Sequence, residues 1–204
     1  MDLLKSKVKP MYFKYLVAAS GSALVASVFG MVDAMMVGKY HGPSGNAALA
    51  IFAPLWSLIF SLGLLAGIGG SVIFANKRGS GDETEAQEYF TLSVFYGAAL
   101  SILAMLIIGF FNEPLFRFFG ADDELLVMAK KYLKPILFAV PCCVFSNILS
   151  AYLRNDNNPD LATIAVIVGG VFNCFGDYFC VFVLDLGIFG AGLATATGSM
   201  FRSS

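Results

Sequence analysis

The sequence has few charged residues and a single histidine, and both shortages narrow its possible functions. Charged residues make up 13% of the chain, whereas soluble domains carry about 25%. The net charge is −1, so the chain lacks the basic surface with which nucleic-acid-binding proteins displace counterions. No Ser/His/Asp set, HExxH motif or phosphate-binding loop is present, and His41 lies in a short Gly/Pro loop. We therefore expect neither an enzyme, nor a bound cofactor, nor a nucleic-acid partner.

The four cysteines also lack the spacing of a functional site. Cys142, Cys143, Cys174 and Cys180 all lie within apolar stretches, and none forms the CxxC pair typical of zinc or redox sites. Buried cysteine packs as a small hydrophobic residue. We predict this structural role for all four.

Long apolar stretches account for most of the chain. Hydrophobic residues make up 58% of it, with a mean hydropathy of +0.77, and a membrane-spanning helix needs about 20 apolar residues. Six stretches qualify or nearly do: 15–38, 47–75, 89–111, 132–153, 161–184 and 186–201. The last would be only about 24 Å long at about 1.5 Å per residue. We predict an all-α, polytopic transmembrane helix bundle with about five complete spans and a truncated sixth.

Two local signals refine this prediction. The polar segment 76–88 contains Asp82 three residues before Glu85, a spacing that predicts a helix start resembling a capping box. Pro141 lies inside the fourth span, where a kink is expected.

The positive charges predict the orientation. Seven lie on the face of the N-terminus: Lys5, Lys7, Lys9, Lys14, Lys77, Arg78 and Arg154. Five lie on the other face: Lys39, Arg117, Lys130, Lys131 and Lys134. Because Lys and Arg favour the cytoplasmic side, we expect residues 1–14 to form a cytoplasmic tail in a cell (inner) membrane protein.

Two carboxylates interrupt the spans, Asp33 in the first and Asp177 in the fifth. An acidic residue near the centre of a membrane helix costs about 2.5–3.5 kcal/mol, so two of them indicate a role. Both spans are odd-numbered and cross in the same direction. Asp33 and Asp177 then lie about 8 and 10 Å from the same face at about 1.5 Å per residue. The two acids can meet if their helices are neighbours.

Asn173 precedes Asp177 by four residues, so both side chains share one helical face. Gly169 and Gly170 extend this side and permit close approach of another helix. Two carboxylates and an amide form a cluster of hard oxygens that suits a proton or a small hard cation such as sodium. A structural reading stays open: Asp33 at a helix end, and Asn173 with Asp177 in an interhelical hydrogen bond.

In these features the chain resembles the N-terminal lobe of the MATE (multidrug and toxic compound extrusion) transporters over residues 12–200. The segments that carry the resemblance are Val32-Asp33, Met36-Val37-Gly38, Ala53-Pro54, Gly79-Ser80-Gly81-Asp82, the turn from Leu153 to Pro159, Asn173-x-x-x-Asp177 and Leu186-Gly187-Ile188-x-Gly190-Ala191-x-Leu193-Ala194-Thr195. Each is a weak pattern alone, but their order along the spans is specific.

The resemblance implies one six-helix lobe of a two-lobe antiporter, with residues 1–204 as this lobe and the second lobe absent. It implies export of organic cations and drugs in exchange for sodium or protons, with Asp33, Asn173 and Asp177 as the coupling site. The implied partners are small-molecule substrates, the lipid bilayer, and a missing C-terminal lobe or a second copy of the chain.

Two other readings remain open. A lipid- or polysaccharide-flipping relative is one, although such a protein would place cationic residues in its cavity to hold phosphate, and the first five spans have none away from their ends. A membrane scaffold, an ion-conducting oligomer or a non-transporting fragment is the other.

Overall fold

The computed structural model describes residues 8–156 and 159–203. They form five α-helices: α1 Val8–Gly79, α2 Glu83–Phe118, α3 Asp123–Asn155, α4 Pro159–Tyr178 and α5 Gly187–Ser203, with a π-helix at Phe179–Val183 after α4. No strand occurs in these two ranges, and the predicted all-α class is confirmed. Part of the predicted tail, including Lys5 and Lys7, and two asparagines of the 154–160 turn lie outside the described residues.

Helix α1 contains the first two predicted spans. It would be about 108 Å long if straight, more than three times the hydrocarbon thickness, but Gly42 breaks it with φ 67° and ψ −153°. Glycine adopts a positive φ without steric cost, and Pro43 then occupies the first position of a new helix, where proline is favoured. We call residues 8–41 the first arm and residues 43–79 the second arm.

The described helices provide the crossings of a membrane bundle. Four stretches are long and apolar enough to span a membrane: 15–79, 83–118, 123–155 and 160–183. Because the first contains two arms, they amount to five crossings. Helix α5 is shorter, with 17 residues, in agreement with the short sixth span that the sequence predicts.

Helix α3 lies at the centre of the bundle and packs against α1, α2, α4 and α5. It remains helical through both Pro135 and Pro141, so the kink expected at Pro141 does not interrupt it. Neighbouring helices approach α3 through glycines. A Cβ atom on Gly67 of the second arm would lie 2.9 Å from Ile148 Cα, and one on Gly97 of α2 would lie 2.3 Å from Ile148 Cδ1.

The predicted start of α2 is half confirmed. The Asp82 carboxylate accepts a hydrogen bond from the Glu85 backbone N–H at 3.0 Å, as expected for an N-cap residue. The Glu85 carboxylate does not close the capping box. It binds Lys77 Nζ at 2.7 Å instead, because the end of α1 brings an ammonium group to it.

Glycines also determine how α5 fits among its neighbours. A Cβ atom on Gly192 would lie 2.4 Å from the carbonyl oxygen of Tyr132 on α3, and one on Gly198 would lie 2.9 Å from that of Gly169 on α4. Small residues of this kind let membrane helices approach closely. They place Thr195, which lies between them on α5, beside both α3 and α4.

Candidate cation site

An open cavity of about 530 Å³ lies between both arms of α1 and helices α3, α4 and α5. Its polar lining includes Asp33, Asn46, Tyr132, Asn173, Thr195 and Ser199. Its aromatic lining consists of Phe29, Phe52, Trp56 and Phe60. The cavity therefore joins a polar wall, formed where α3, α4 and α5 meet the first arm, to an aromatic wall built mainly by the second arm.

Asp33 lies on the first arm and lines this cavity. Its Oδ2 accepts a hydrogen bond from the Tyr132 hydroxyl of α3 at 2.9 Å. Its Oδ1 is buried and has no hydrogen-bond partner among the described residues. Asp33 thus bonds to a different helix and not to the end of its own, so the reading of this acid as a helix-terminus cap finds no contact here.

Asp177 lies on α4 and is completely buried. Neither of its carboxylate oxygens has a hydrogen-bond partner within the described part of the chain. A buried acceptor without a partner costs about 1–3 kcal/mol, and a charged one costs more. Asp33 is close enough for the two charges to interact. Asp177 and the half-buried Asp33 thus carry the three buried side-chain oxygens that lack a hydrogen-bond partner among the described residues.

A chain of hydrogen bonds that involves four helices links Asn173 of α4 to Asp33 of α1. Asn173 Nδ2 donates to Thr195 Oγ1 at 3.4 Å, and Thr195 Oγ1 lies 3.4 Å from the Tyr132 hydroxyl. Because Tyr132 donates its own proton to Asp33, Thr195 supplies the proton of the contact with Tyr132. The donors all point towards Asp33, and the amide oxygen of Asn173 keeps its acceptor capacity.

The structure brings together all three residues singled out from the sequence and adds two more. Asn173 and Asp33 line the same cavity from α4 and the first arm, and Asp177 lies buried one helical turn beyond Asn173. Tyr132 and Thr195 were missed as site residues. Thr195 lies in one of the segments that carry the family resemblance but was given no role, and Tyr132 begins an apolar span as Tyr15 and Tyr89 do. The contact between them depends on tertiary packing: Gly192 lets α5 approach the Tyr132 backbone closely, which brings Thr195 to the Tyr132 hydroxyl.

The site differs in chemistry from a transition-metal centre. The described residues contain no group of three or more His, Cys, Asp or Glu side chains that could hold a metal ion, and their cysteines form no disulfide. Two carboxylates, an amide and two hydroxyl groups are hard oxygen donors instead. Such donors fit a proton or an alkali cation.

Comparison with known proteins identifies the family of this chain. The profile of the MatE family matches residues 18–179, which is more than half of the chain. The chain belongs to the MatE family. The matched range contains Asp33, Tyr132, Asn173 and Asp177 and ends within the π-helix.

Curated relatives extend beyond this chain. Multidrug export protein MepA of Staphylococcus saprophyticus is 25% identical over 181 residues, which make up 89% of this chain and 40% of that protein. MepA of Staphylococcus aureus is 23% identical over 177 residues, or 87% of this chain and 39% of that protein. This chain therefore spans about 40% of the length of the curated relatives it matches.

Solved structures show the same fold. A crystallised MATE mutant superposes with a TM-score of 0.90 at 25% identity, covering 98% of this chain and 45% of that one. A MOP superfamily transporter from Pyrococcus furiosus, described as having a binding pocket of reversed polarity, gives a TM-score of 0.80 at 26% identity, covering 92% and 41%. The chain is thus a multi-pass membrane protein with the helix arrangement of MATE transporters.

Proposed function

We propose that this chain is the N-terminal lobe of a secondary active antiporter that exports organic cations and other drugs in exchange for sodium or protons. Asp33, Asn173 and Asp177 form the coupling site. The observation that carries the proposal is the buried Asp177 and the half-buried Asp33 beside an open cavity, with three buried carboxylate oxygens that have no hydrogen-bond partner among the described residues. A cation or proton bound there would offset their repulsion.

Within this mechanism, the chain's own side chains hold and release the coupling ion. Asp177 supplies two acceptor oxygens from a buried position on α4, and Asp33 supplies one from the cavity wall. Tyr132 keeps the second oxygen of Asp33 occupied, which orients the carboxylate. Loading neutralises the repulsion between the first arm and α4, and release restores it. The arm's position relative to α4 therefore depends on whether the ion is bound.

The cavity lining supports organic cations as substrates. Phe52, Trp56 and Phe60 offer ring faces to a flat molecule, and aromatic faces attract cations. Asp33 supplies a negative charge on the opposite wall. No Lys or Arg lines the cavity in the described part of the chain, which disfavours a phosphate-bearing lipid or polysaccharide precursor. The relatives named multidrug export proteins agree with this substrate class.

The site also implies partners and a location. We propose that residues 1–204 act with a second lobe, supplied by a C-terminal half or by another copy of the chain, that closes the open side of the cavity. The lobe lies in the cell (inner) membrane, with residues 1–14 on the cytoplasmic side, as the excess of positive charge on that face favours.

The test is cation binding by the full chain in lipid nanodiscs. Sodium titrations by calorimetry, in buffers of different ionisation enthalpy, report both binding and proton release. We expect a signal in the unmodified protein that disappears in Asp33→Asn and in Asp177→Asn. Glu124→Gln, which removes an exposed acid on α3, should retain it. A folded chain that binds no sodium and exchanges no proton would leave the two acids with a structural role only.

A further inference from the structure

Two hydrogen bonds fasten the end of the first arm to the connection between the π-helix and α5. The Tyr40 hydroxyl donates to Asp185 Oδ1 at 2.5 Å. The Ile188 backbone N–H donates to His41 Nε2 at 3.0 Å. We call these four residues the end clasp. It joins two crossings that lie far apart in sequence, on the membrane face opposite the N-terminus.

His41 caps α5 from another helix. The first N–H groups of any α-helix have no acceptor within the helix, and Ile188 is the second residue of α5. The His41 ring satisfies its N–H only through an unprotonated Nε2, because a protonated imidazole has no acceptor nitrogen. The positive end of the helix dipole adds to this preference for a neutral ring. The contact therefore exists only while His41 is neutral.

Gly187 provides the space for this contact. A Cβ atom at this position would lie 2.6 Å from His41 Nε2 and 3.0 Å from the Tyr40 ring, and the residue has φ +54°. Both the space and the backbone conformation favour glycine. The Leu186-Gly187-Ile188 segment thus has a local purpose, which is to receive the His41 ring.

The groups around His41 disfavour its protonation. It is the last residue of the first arm, beyond the predicted first span 15–38. Partial burial and the charge of Lys131 on α3 lower the pKa of His41 below its usual range. Its own arm contributes Lys39, which lies over the Phe182 ring at 5.9 Å, and the α5 connection contributes Asp185, whose carboxylate accepts from Tyr40. A proton on His41 would add a cation beside Lys131 and the start of α5.

The end clasp lies at a similar separation along the chain from each of the two acids. Asp33 lies eight residues before His41 on the first arm, and Asp177 lies eight residues before Asp185. At about 1.5 Å per residue, each acid is about 12 Å from the clasp along its helix. We propose that His41 is a positioning residue for the Asp33–Asp177 site: its neutral imidazole caps α5, and its protonation releases the first arm and separates the two acids. The positioning role rests on the proposed function, whereas the cap does not.

The cap is tested by hydrogen exchange at the Ile188 amide in the full chain in nanodiscs, expressed as protection relative to the intrinsic rate. Between pH 8 and about pH 5.5, across the range where histidine titrates, protection should fall about tenfold, the size expected for the loss of one helix cap. His41→Gln offers an acceptor that does not titrate, so its protection should stay constant over this range. Tyr40→Phe should keep the pH dependence, because it breaks only the bond to Asp185. A pH dependence that persists in His41→Gln overturns the cap.

The positioning role is tested by sodium affinity over the same pH range. Affinity in the unmodified protein should fall more steeply with acidity than in His41→Gln, since both variants share the titration of Asp33 and Asp177 but only one has the clasp histidine. Identical profiles overturn the positioning role while leaving the proposed function intact. Absence of cation loading at every pH removes the proposed function and the positioning role together, and the exchange experiment still decides the cap.

Discussion

The first arm of α1 and helix α3 are both apolar membrane helices, yet they are held in opposite ways. Fourteen residues of α3 are buried, whereas Ser22 and Val37 are the buried residues among those whose side chains are described on the first arm. Helix α3 is a scaffold that packs against α1, α2, α4 and α5, although side chains such as Phe138 are exposed. The first arm lies at the edge of the bundle, where apolar packing restrains it little.

A few discrete contacts hold the first arm instead. Ser22 Oγ lies 3.1 Å from Thr163 Oγ1 of α4, the Phe29 ring lies against Gly170, and Tyr132 bonds to Asp33. The end clasp completes the attachment. Each such contact is worth about 1 kcal/mol or less in a membrane, so small changes at the site can shift the arm. Asp33 therefore lies on an arm with few attachments, whereas Asp177 is fully buried on α4.

Truncation of an apolar side chain should show the largest difference in stability between α3 and the first arm. Ile148→Ala on α3 removes a side chain that fills the junction with the second arm and α2. We expect its free energy of unfolding to fall by about 2–5 kcal/mol. Leu24→Ala on the first arm, where the side chain is 68% exposed, should change it by less than about 0.5 kcal/mol. Denaturant titration in mixed micelles measures both, and equal losses would contradict the distinction between scaffold and arm.

Two tyrosines of α3 distinguish an effect on the cation site from an effect on the fold. Tyr132→Phe removes the only hydrogen bond to Asp33 in the described chain. It should cost about 1–3 kcal/mol of stability and weaken sodium binding. Tyr152→Phe is the matched control on the same helix, since its hydroxyl bonds to Ser93 at 2.7 Å, away from the cavity.

We expect Tyr152→Phe to lose stability without losing cation affinity. Calorimetry and denaturant titration on the two variants give both quantities. A parallel loss of affinity in Tyr152→Phe would mean that Tyr132 acts only through the fold.

Two glycine substitutions should have small effects of opposite sign. In Gly170→Ala, the new Cβ atom would lie 1.7 Å from the Phe29 ring, so the ring and the first arm must shift. We expect a loss of about 1 kcal/mol. In Gly21→Ala, nothing lies within 4 Å of the new atom, and the better helix propensity of alanine should stabilise the protein by up to about 1 kcal/mol. Melting temperatures of the two variants that move in the same direction would contradict the contact between Phe29 of the first arm and Gly170 of α4.

Much of the fold follows from local properties of the chain. Apolar run lengths predict the crossings because hydrocarbon thickness sets how many residues a helix needs. The Gly/Pro loop predicts the break at Gly42, and Asp82 predicts the start of α2. The π-helix at Phe179–Val183 was not predicted, because no residue type marks a π-turn as clearly as glycine and proline mark a break.

Some residues of the candidate site can likewise be predicted from the sequence, and others cannot. Asp33 and Asp177 are visible in the sequence because a carboxylate in an apolar run is costly wherever the run packs. Tyr132 and Thr195 are common residues in membrane helices, and nothing in their spacing connects them. His41 is similar: a lone histidine in a loop carries no sign that its acceptor is a backbone N–H at the start of a distant helix.

The sequence by itself determined the membrane class, the number of crossings, the break after the first arm and the identity of the two costly acids, since each depends on the composition of one segment. The tertiary structure alone decided that Asp177 is fully buried, that Tyr132 and Thr195 connect Asn173 to Asp33, and that His41 reaches α5. The physical reason is that contacts between helices depend on their depth, rotation and closeness. Here glycines such as Gly170, Gly187 and Gly192 set that closeness, and the side chain that occupies the space beside each one is known only once the helices are packed.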